Sequence, residues 1–147
     1  MKILMVCLGN ICRSPLAHGV MEALVKEEGL DWQVDSAGTG NWHVGQGPDH
    51  RSTREAKLNG VNISKQVCRQ FKVGDFDEFD LIVVMDQNNK RDILALARND
   101  EDSKKVRLLL GDKNVPDPYH DDTLFAPVYQ LVLDGCKQLL KELQAKH

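Results

Sequence analysis

The stretch VCLGNICRSP (Val6–Pro15) sits where a strand hands over to a helix, and it places a thiol and a guanidinium six positions apart. The run that leads into it, KILMVC (Lys2–Cys7), is apolar from its second residue on, as expected of a strand buried on both faces. At the other end, Ser14-Pro15 offers a hydroxyl cap and a proline at the first helical position. Leu16, Val20 and Leu24 then form one apolar stripe, with Ala17 and Met21 beside it, until Gly29 stops the helix.

Outward from this junction, strand-like and helix-like segments alternate. WQVDSAG (Trp32–Gly38) reads as a second strand, and residues 38–48, rich in glycine, as a loop. A polar helix is expected over Asp49–Asn59, ending at Gly60. DLIVVMD (Asp80–Asp86) is the third strand, Gln87–Arg98 a helix, Lys105–Leu110 the fourth strand and Gly111–Asp122 a second loop. Val128, Leu131, Val132, Gly135, Cys136, Leu139, Leu140 and Leu143 keep helical spacing in a closing helix. This order implies an α/β fold: one domain over residues 1–147, three layers α/β/α, and a central four-stranded parallel sheet. Ligands of such sheets bind beyond the carboxyl ends of the strands, where Cys7 lies.

Composition narrows the function. A net charge of −3 gives no basic surface for nucleic acid. No apolar run reaches the length of a membrane span, and MKILMVCL reads as a strand, not a signal peptide. Cys7, Cys12, Cys68 and Cys136 match neither a C-x-x-C pair nor a zinc set, so free thiols in a cytoplasmic protein are expected. His18, His43, His50, His120 and His147 form no metal-ligand pattern, and most of them read as scattered surface residues; neither metal nor cofactor is expected.

The loop between Cys7 and Arg13 curls in front of a helix N-terminus. Unpaired amides and the helix dipole make an anion cradle there, and the same field favours a cysteine thiolate at its rim. Arg13 adds a fork that can hold two phosphate oxygens side by side. Gly9 can adopt positive φ and Asn10 tolerates it. Neither G-x-x-x-x-G-K-[ST] nor G-x-G-x-x-G occurs, which excludes the common nucleotide-binding loops. A thiolate that attacks a phosphate ester also needs an acid for the leaving group. Asp117, fixed by Pro118 on the loop after the last strand, is the best candidate, although Asp-Pro is often only a turn.

V-C-x-G-N-x-C-R-S-P resembles the signature of the low-molecular-weight protein-tyrosine phosphatases. VDSAG (Val34–Gly38), Met85-Asp86 followed by Arg91-Asp92, and VPDPYH (Val115–His120) fall in the family's order along the whole chain. The resemblance implies Cys7 as nucleophile, Arg13 and the loop amides as phosphate binders, and Asp117 as general acid and then base. It implies Leu8 and Ile11 as the loop's apolar rim beside Gly9 and Cys12, and Trp42 and Tyr119 as aromatic walls. Asn10, Ser14 and Ser36 would hold the loop in shape by hydrogen bonds. Trp42 could instead anchor its loop to the core.

Cys12 reads either as packing behind the loop or, by resemblance, as a thiol that captures oxidised Cys7 in a disulfide. Cys68 and Cys136 read as structural. Two departures from animal members point to a bacterial-type chain. Lys65 stands where they carry a histidine that supports the loop asparagine, and His120 replaces a second tyrosine. The implied partner is a phosphotyrosine-bearing protein, such as an autophosphorylated bacterial tyrosine kinase, acted on by a monomer. Arsenate reduction on the same fold would need relay cysteines near the third strand, where MDQNNKRDILALARN has none. A dead phosphotyrosine-binding module would be expected to lack Cys7 or Asp117.

Overall fold

In a computed structural model, which describes residues 1–146, the apolar run Lys2–Cys7 forms strand β1 at the centre of a parallel sheet. Its neighbours are β2 (Gln33–Gly38) and β3 (Leu81–Val84), with β4 (Val106–Leu108) beyond β3, in the order β2-β1-β3-β4. The register pairs Cys7 with Gly38 and Val6 with Val84.

Successive residues of β1 face opposite layers, which explains why the run is apolar throughout. Ile3, Met5 and Cys7 join the core under α1 (Arg13–Glu27), α2 (His50–Leu58) and the long closing helix α6 (Phe125–Ala145). Leu4 and Val6 join the other core, with Phe76 of the short α3 (Asp75–Glu78) and Ile93 of α4 (Gln87–Leu94). The three-layer α/β/α expectation therefore holds.

Local boundaries differ from the sequence reading. The helix expected over 87–98 ends at Leu94, and a separate α5 (Asp100–Lys104) starts from an Asn99 cap. The fourth strand is shorter than 105–110, and α3 was not anticipated. Ser14 does not cap α1: the helix begins at Arg13 with Cys12 at the cap position and no side-chain cap bond. Pro15 still falls in the first turn, where its missing N–H costs nothing.

The chain runs from β1 outward to β2 and then crosses to β3 on the other side of β1. Such a reversal opens a crevice at the carboxyl ends of β1 and β3. Cys7 ends β1, and Asp86 follows β3 as the cap of α4. Among the described residues, no helix is long and apolar enough to cross a membrane.

Candidate active site

The loop after β1 is held by its carbonyls. Those of Cys7, Leu8 and Ile11 accept from the amides of Thr39, Gly40 and Asp49, each within 2.9 Å. Those of Asn10 and Cys12 accept from Cys68 Sγ (2.8 Å) and Ser52 Oγ (3.3 Å). Among the described residues, no acceptor takes the amides of residues 8–12. Carbonyls tied outward and amides left over give the anion cradle expected at a helix N-terminus.

The turn that does this rests on Asn10 at φ 57°, while Gly9 stays out of the positive-φ region. Gly9 is small for another reason: a Cβ there would meet the His43 ring at 3.2 Å. At Gly38, on β2, a Cβ would come within 2.9 Å of the Leu8 carbonyl oxygen, so a side chain there would push the loop away.

Inside the turn, Ser14 is fully buried. Its Oγ lies 3.1 Å from Cys7 Sγ and accepts from Asn10 Nδ2 at 2.8 Å. Asn10 Oδ1 in turn accepts from the amide of Arg69 at 3.0 Å. The Asn10 side chain is thus held by Ser14 and by main chain. Ser36 departs from expectation. Its hydroxyl meets His18 Nδ1 at 3.0 Å and makes no bond to the loop, because it sits two residues before the loop-contacting end of β2.

Arg13 is 3 % exposed, so it is no surface residue. Its Nη1 donates to Asp86 Oδ2 (2.7 Å) and to the Val115 carbonyl (2.9 Å). Its Nη2 lies 3.9 Å from Asp117 Oδ2. Burial works against the guanidinium charge, but the negative groups of Cys7, Asp86 and Asp117 outweigh it and raise the pKa above the ordinary arginine value. Asp86 also caps α4 through the Asn89 amide, which fixes its own orientation.

A pocket of about 230 Å³ opens over this group. Cys7, Arg13 and Asp117 line it together with Leu8, Gly9, Ile11, Cys12, Trp42 and Tyr119, all of which the sequence had marked. Trp42 is 66 % exposed and lies over Gly40, where a Cβ would fall 1.9 Å from its ring. It is a wall of the mouth and no core anchor. His43 and His120 also line the pocket; of the two, the sequence singles out only His120, as the replacement for a second tyrosine. His120 stands edge-to-face with Tyr119, its ring 5.0 Å away. His147 lies outside the described residues.

The cysteines are free, and all four are buried. Burial, with Asp49, Cys7 and Asp117 adding to it, pushes the Cys12 thiol up to about 12. Burial and Cys7 push Cys68 up to about 11, and burial alone raises Cys136. Cys12 and Cys68 pack with Ile11 and Phe125 in a small cluster behind the loop.

A family model described as low molecular weight phosphotyrosine protein phosphatase matches residues 2–147. The chain is 43% identical to a putative low molecular weight protein-tyrosine-phosphatase (slr0328) of Synechocystis, over 97% of this chain and 96% of that protein. Among solved structures it is similar to a protein tyrosine phosphatase of Entamoeba histolytica with Hepes in its active site. That match has a TM-score of 0.94 and 33% identity, over 99% of this chain and 98% of the other. A Drosophila protein titled arginine phosphatase also matches, at TM-score 0.91 and 32% identity over 97% and 98% of the two chains. The chain belongs to the low molecular weight phosphotyrosine protein phosphatase family and is, by that membership, a protein-tyrosine-phosphatase.

Proposed function

We propose that residues 1–147 act as one domain that hydrolyses phosphotyrosine in proteins through a phosphocysteine on Cys7. The observation that carries this reading is the convergence of Cys7, Arg13 and Asp117 on one pocket whose floor is a loop of unpaired amides. The Cys7 thiolate attacks phosphorus, and the phenolic oxygen departs with the proton of Asp117. Asp117, now a carboxylate, takes a proton from the water that attacks the phosphocysteine, and phosphate leaves as the thiolate re-forms. Arg13 and the amides hold the equatorial oxygens throughout, so most of the catalysis is positioning and charge. The scheme calls on no metal or cofactor.

Leu8, Ile11, Trp42 and Tyr119 give the pocket apolar and aromatic walls around a polar floor. Such walls suit the phenyl ring of a phosphotyrosine. The partner is a phosphotyrosine-bearing protein, for which an autophosphorylated kinase is a candidate, and the enzyme works as a monomer. Four unpaired thiols favour a reducing compartment, the cytoplasm.

Cys7→Ser tests the reading. Phosphotyrosine turnover should fall by orders of magnitude while inorganic phosphate still binds, because the cradle is separate from the nucleophile. Retention of about a tenth of wild-type turnover would remove Cys7 as nucleophile. EDTA should change nothing; a loss reversed by added metal would overturn the metal-free scheme.

A further inference from the structure

Arg51 does not itself line the pocket, yet it is heavily partnered beside the mouth. Its Nε and Nη2 take both oxygens of the buried Asp49 carboxylate, at 3.0 and 2.8 Å. Its Nη1 meets Asp122 Oδ1 at 2.6 Å. The guanidinium carbon lies 4.6 Å from the Phe125 ring centroid and 5.4 Å from that of Tyr119. A planar fork that bonds a carboxylate with two nitrogens and lies over two rings is a fit that lysine cannot reproduce.

Each partner leads to one half of the site. The Asp49 amide donates to the Ile11 carbonyl at 2.8 Å, and Phe125 packs on Ile11 and Cys12; both belong to the loop that carries Cys7. On the other side, the Tyr119 amide donates to Asp117 Oδ1 at 3.1 Å, so whatever holds Tyr119 also holds the acid. The acid loop has few other anchors. Of residues 116–123 only Pro118 is buried, and the direct Arg13–Asp117 approach is long at 3.9 Å.

We propose that Arg51 is a positioning residue that sets Asp117 against Cys7 by clamping Tyr119 and Asp122 to Asp49 and Phe125. The proposal rests on the roles given to Cys7 and Asp117 above. It makes the acid step, and not phosphate binding, the property that Arg51 controls.

The test compares kcat/KM for phosphotyrosine, whose leaving group needs a proton, with that for p-nitrophenyl phosphate, whose leaving group needs it less. Arg51→Ala should lose at least about tenfold more on phosphotyrosine than on the nitrophenyl ester, since a misplaced general acid forfeits much of its contribution. Arg51→Lys should lose in the same direction, and inhibition by inorganic phosphate should shift less than about threefold. In an Asp117→Asn background, Arg51→Ala should add less than about twofold, because the two act through one group. Equal losses on both substrates, or full additivity with Asp117→Asn, would overturn the proposal. If Arg51→Ala does not fold, Asp122→Asn carries the same readout at an exposed position; an unchanged substrate ratio in it and in Arg51→Lys would overturn the proposal equally. Should Asp117→Asn itself show no substrate preference, the acid assignment fails first; should it show one that Arg51→Ala lacks, only the clamp fails.

Discussion

Ser14→Ala removes one oxygen from the floor of the site, and its consequence can be worked from three distances. The Ser14 hydroxyl accepts from Asn10 Nδ2 at 2.8 Å, which leaves its own proton for Cys7 Sγ at 3.1 Å; the Ala37 carbonyl, at 3.5 Å, is the weaker competitor. A hydrogen bond to a charged group is worth about 1.5 to 3 kcal/mol, and here the group is buried. That bond matters most when the thiolate is being expelled from phosphocysteine, because negative charge then returns to sulfur. It matters less in the first half, where stabilising the thiolate also blunts its attack. At about 1.4 kcal/mol per factor of ten, kcat should fall roughly ten- to a hundredfold, and kcat/KM less. Phosphoenzyme should then accumulate, so stopped-flow mixing with p-nitrophenyl phosphate should show a burst near one equivalent before a slow steady state. A kcat within about twofold of wild type would refute the reasoning. So would equal falls in kcat and kcat/KM without a burst, which would mean that the serine only shapes the loop.

Asp117→Asn should slow phosphotyrosine cleavage far more than cleavage of the nitrophenyl ester, because the tyrosine phenol, with a pKa of about 10, leaves poorly without a proton; equal kcat/KM losses would point to another acid. Asp49→Asn should keep the cap of α2 but lose the charge that Arg51 grips. The Arg51 hydrogen bonds lower the Asp49 pKa against the opposing effect of burial, so its stabilisation is complete above the unfolded value of about 3.9 and lost as pH falls through the folded one. The Tm gap between Asp49→Asn and wild type should thus be open at pH 7 and narrow below about pH 4; a gap constant to pH 2 would refute the ion pair. Iodoacetamide near pH 7 should label Cys7 and spare Cys12, which burial holds protonated up to about 12. Peroxide should oxidise Cys7 to a sulfenic acid that the Cys12 thiol converts to a disulfide with loss of water. Recovery by dithiothreitol that is unchanged in Cys12→Ser would leave Cys12 a packing residue.

The alternation of strands and helices along the chain and the phosphate loop were legible because both are written locally. An apolar hexamer, a turn and a helix start fall within residues 2–15, and β3 is an unbroken apolar run. What escaped was carried by contacts between distant residues. Arg13 and Asp86 are 73 positions apart, and Arg13 and Val115 are 102 apart, so no spacing announces their bonds. Ser14 looked like a cap because Ser-Pro usually opens a helix; the pull of the buried Asn10 amide and Cys7 sulfur turned it inward instead. His43 carries no motif, and only the fold of its loop brings it to the pocket. The break between α4 and α5 lacks proline and glycine, so 87–98 read as one helix although Asn99-Asp100 is a sound start signal.

The arginine at the centre of the site is divided between two tasks. Its Nη1 is committed to Asp86 and Val115, which hold the side chain whether or not phosphate is present. Its Nη2 has only Asp117, and 3.9 Å is too long for a hydrogen bond. An arriving phosphate dianion can therefore take Nη2 without disturbing the half of the fork that positions it. In doing so it displaces Asp117 as that nitrogen's nearest anion and brings a like charge beside the carboxylate.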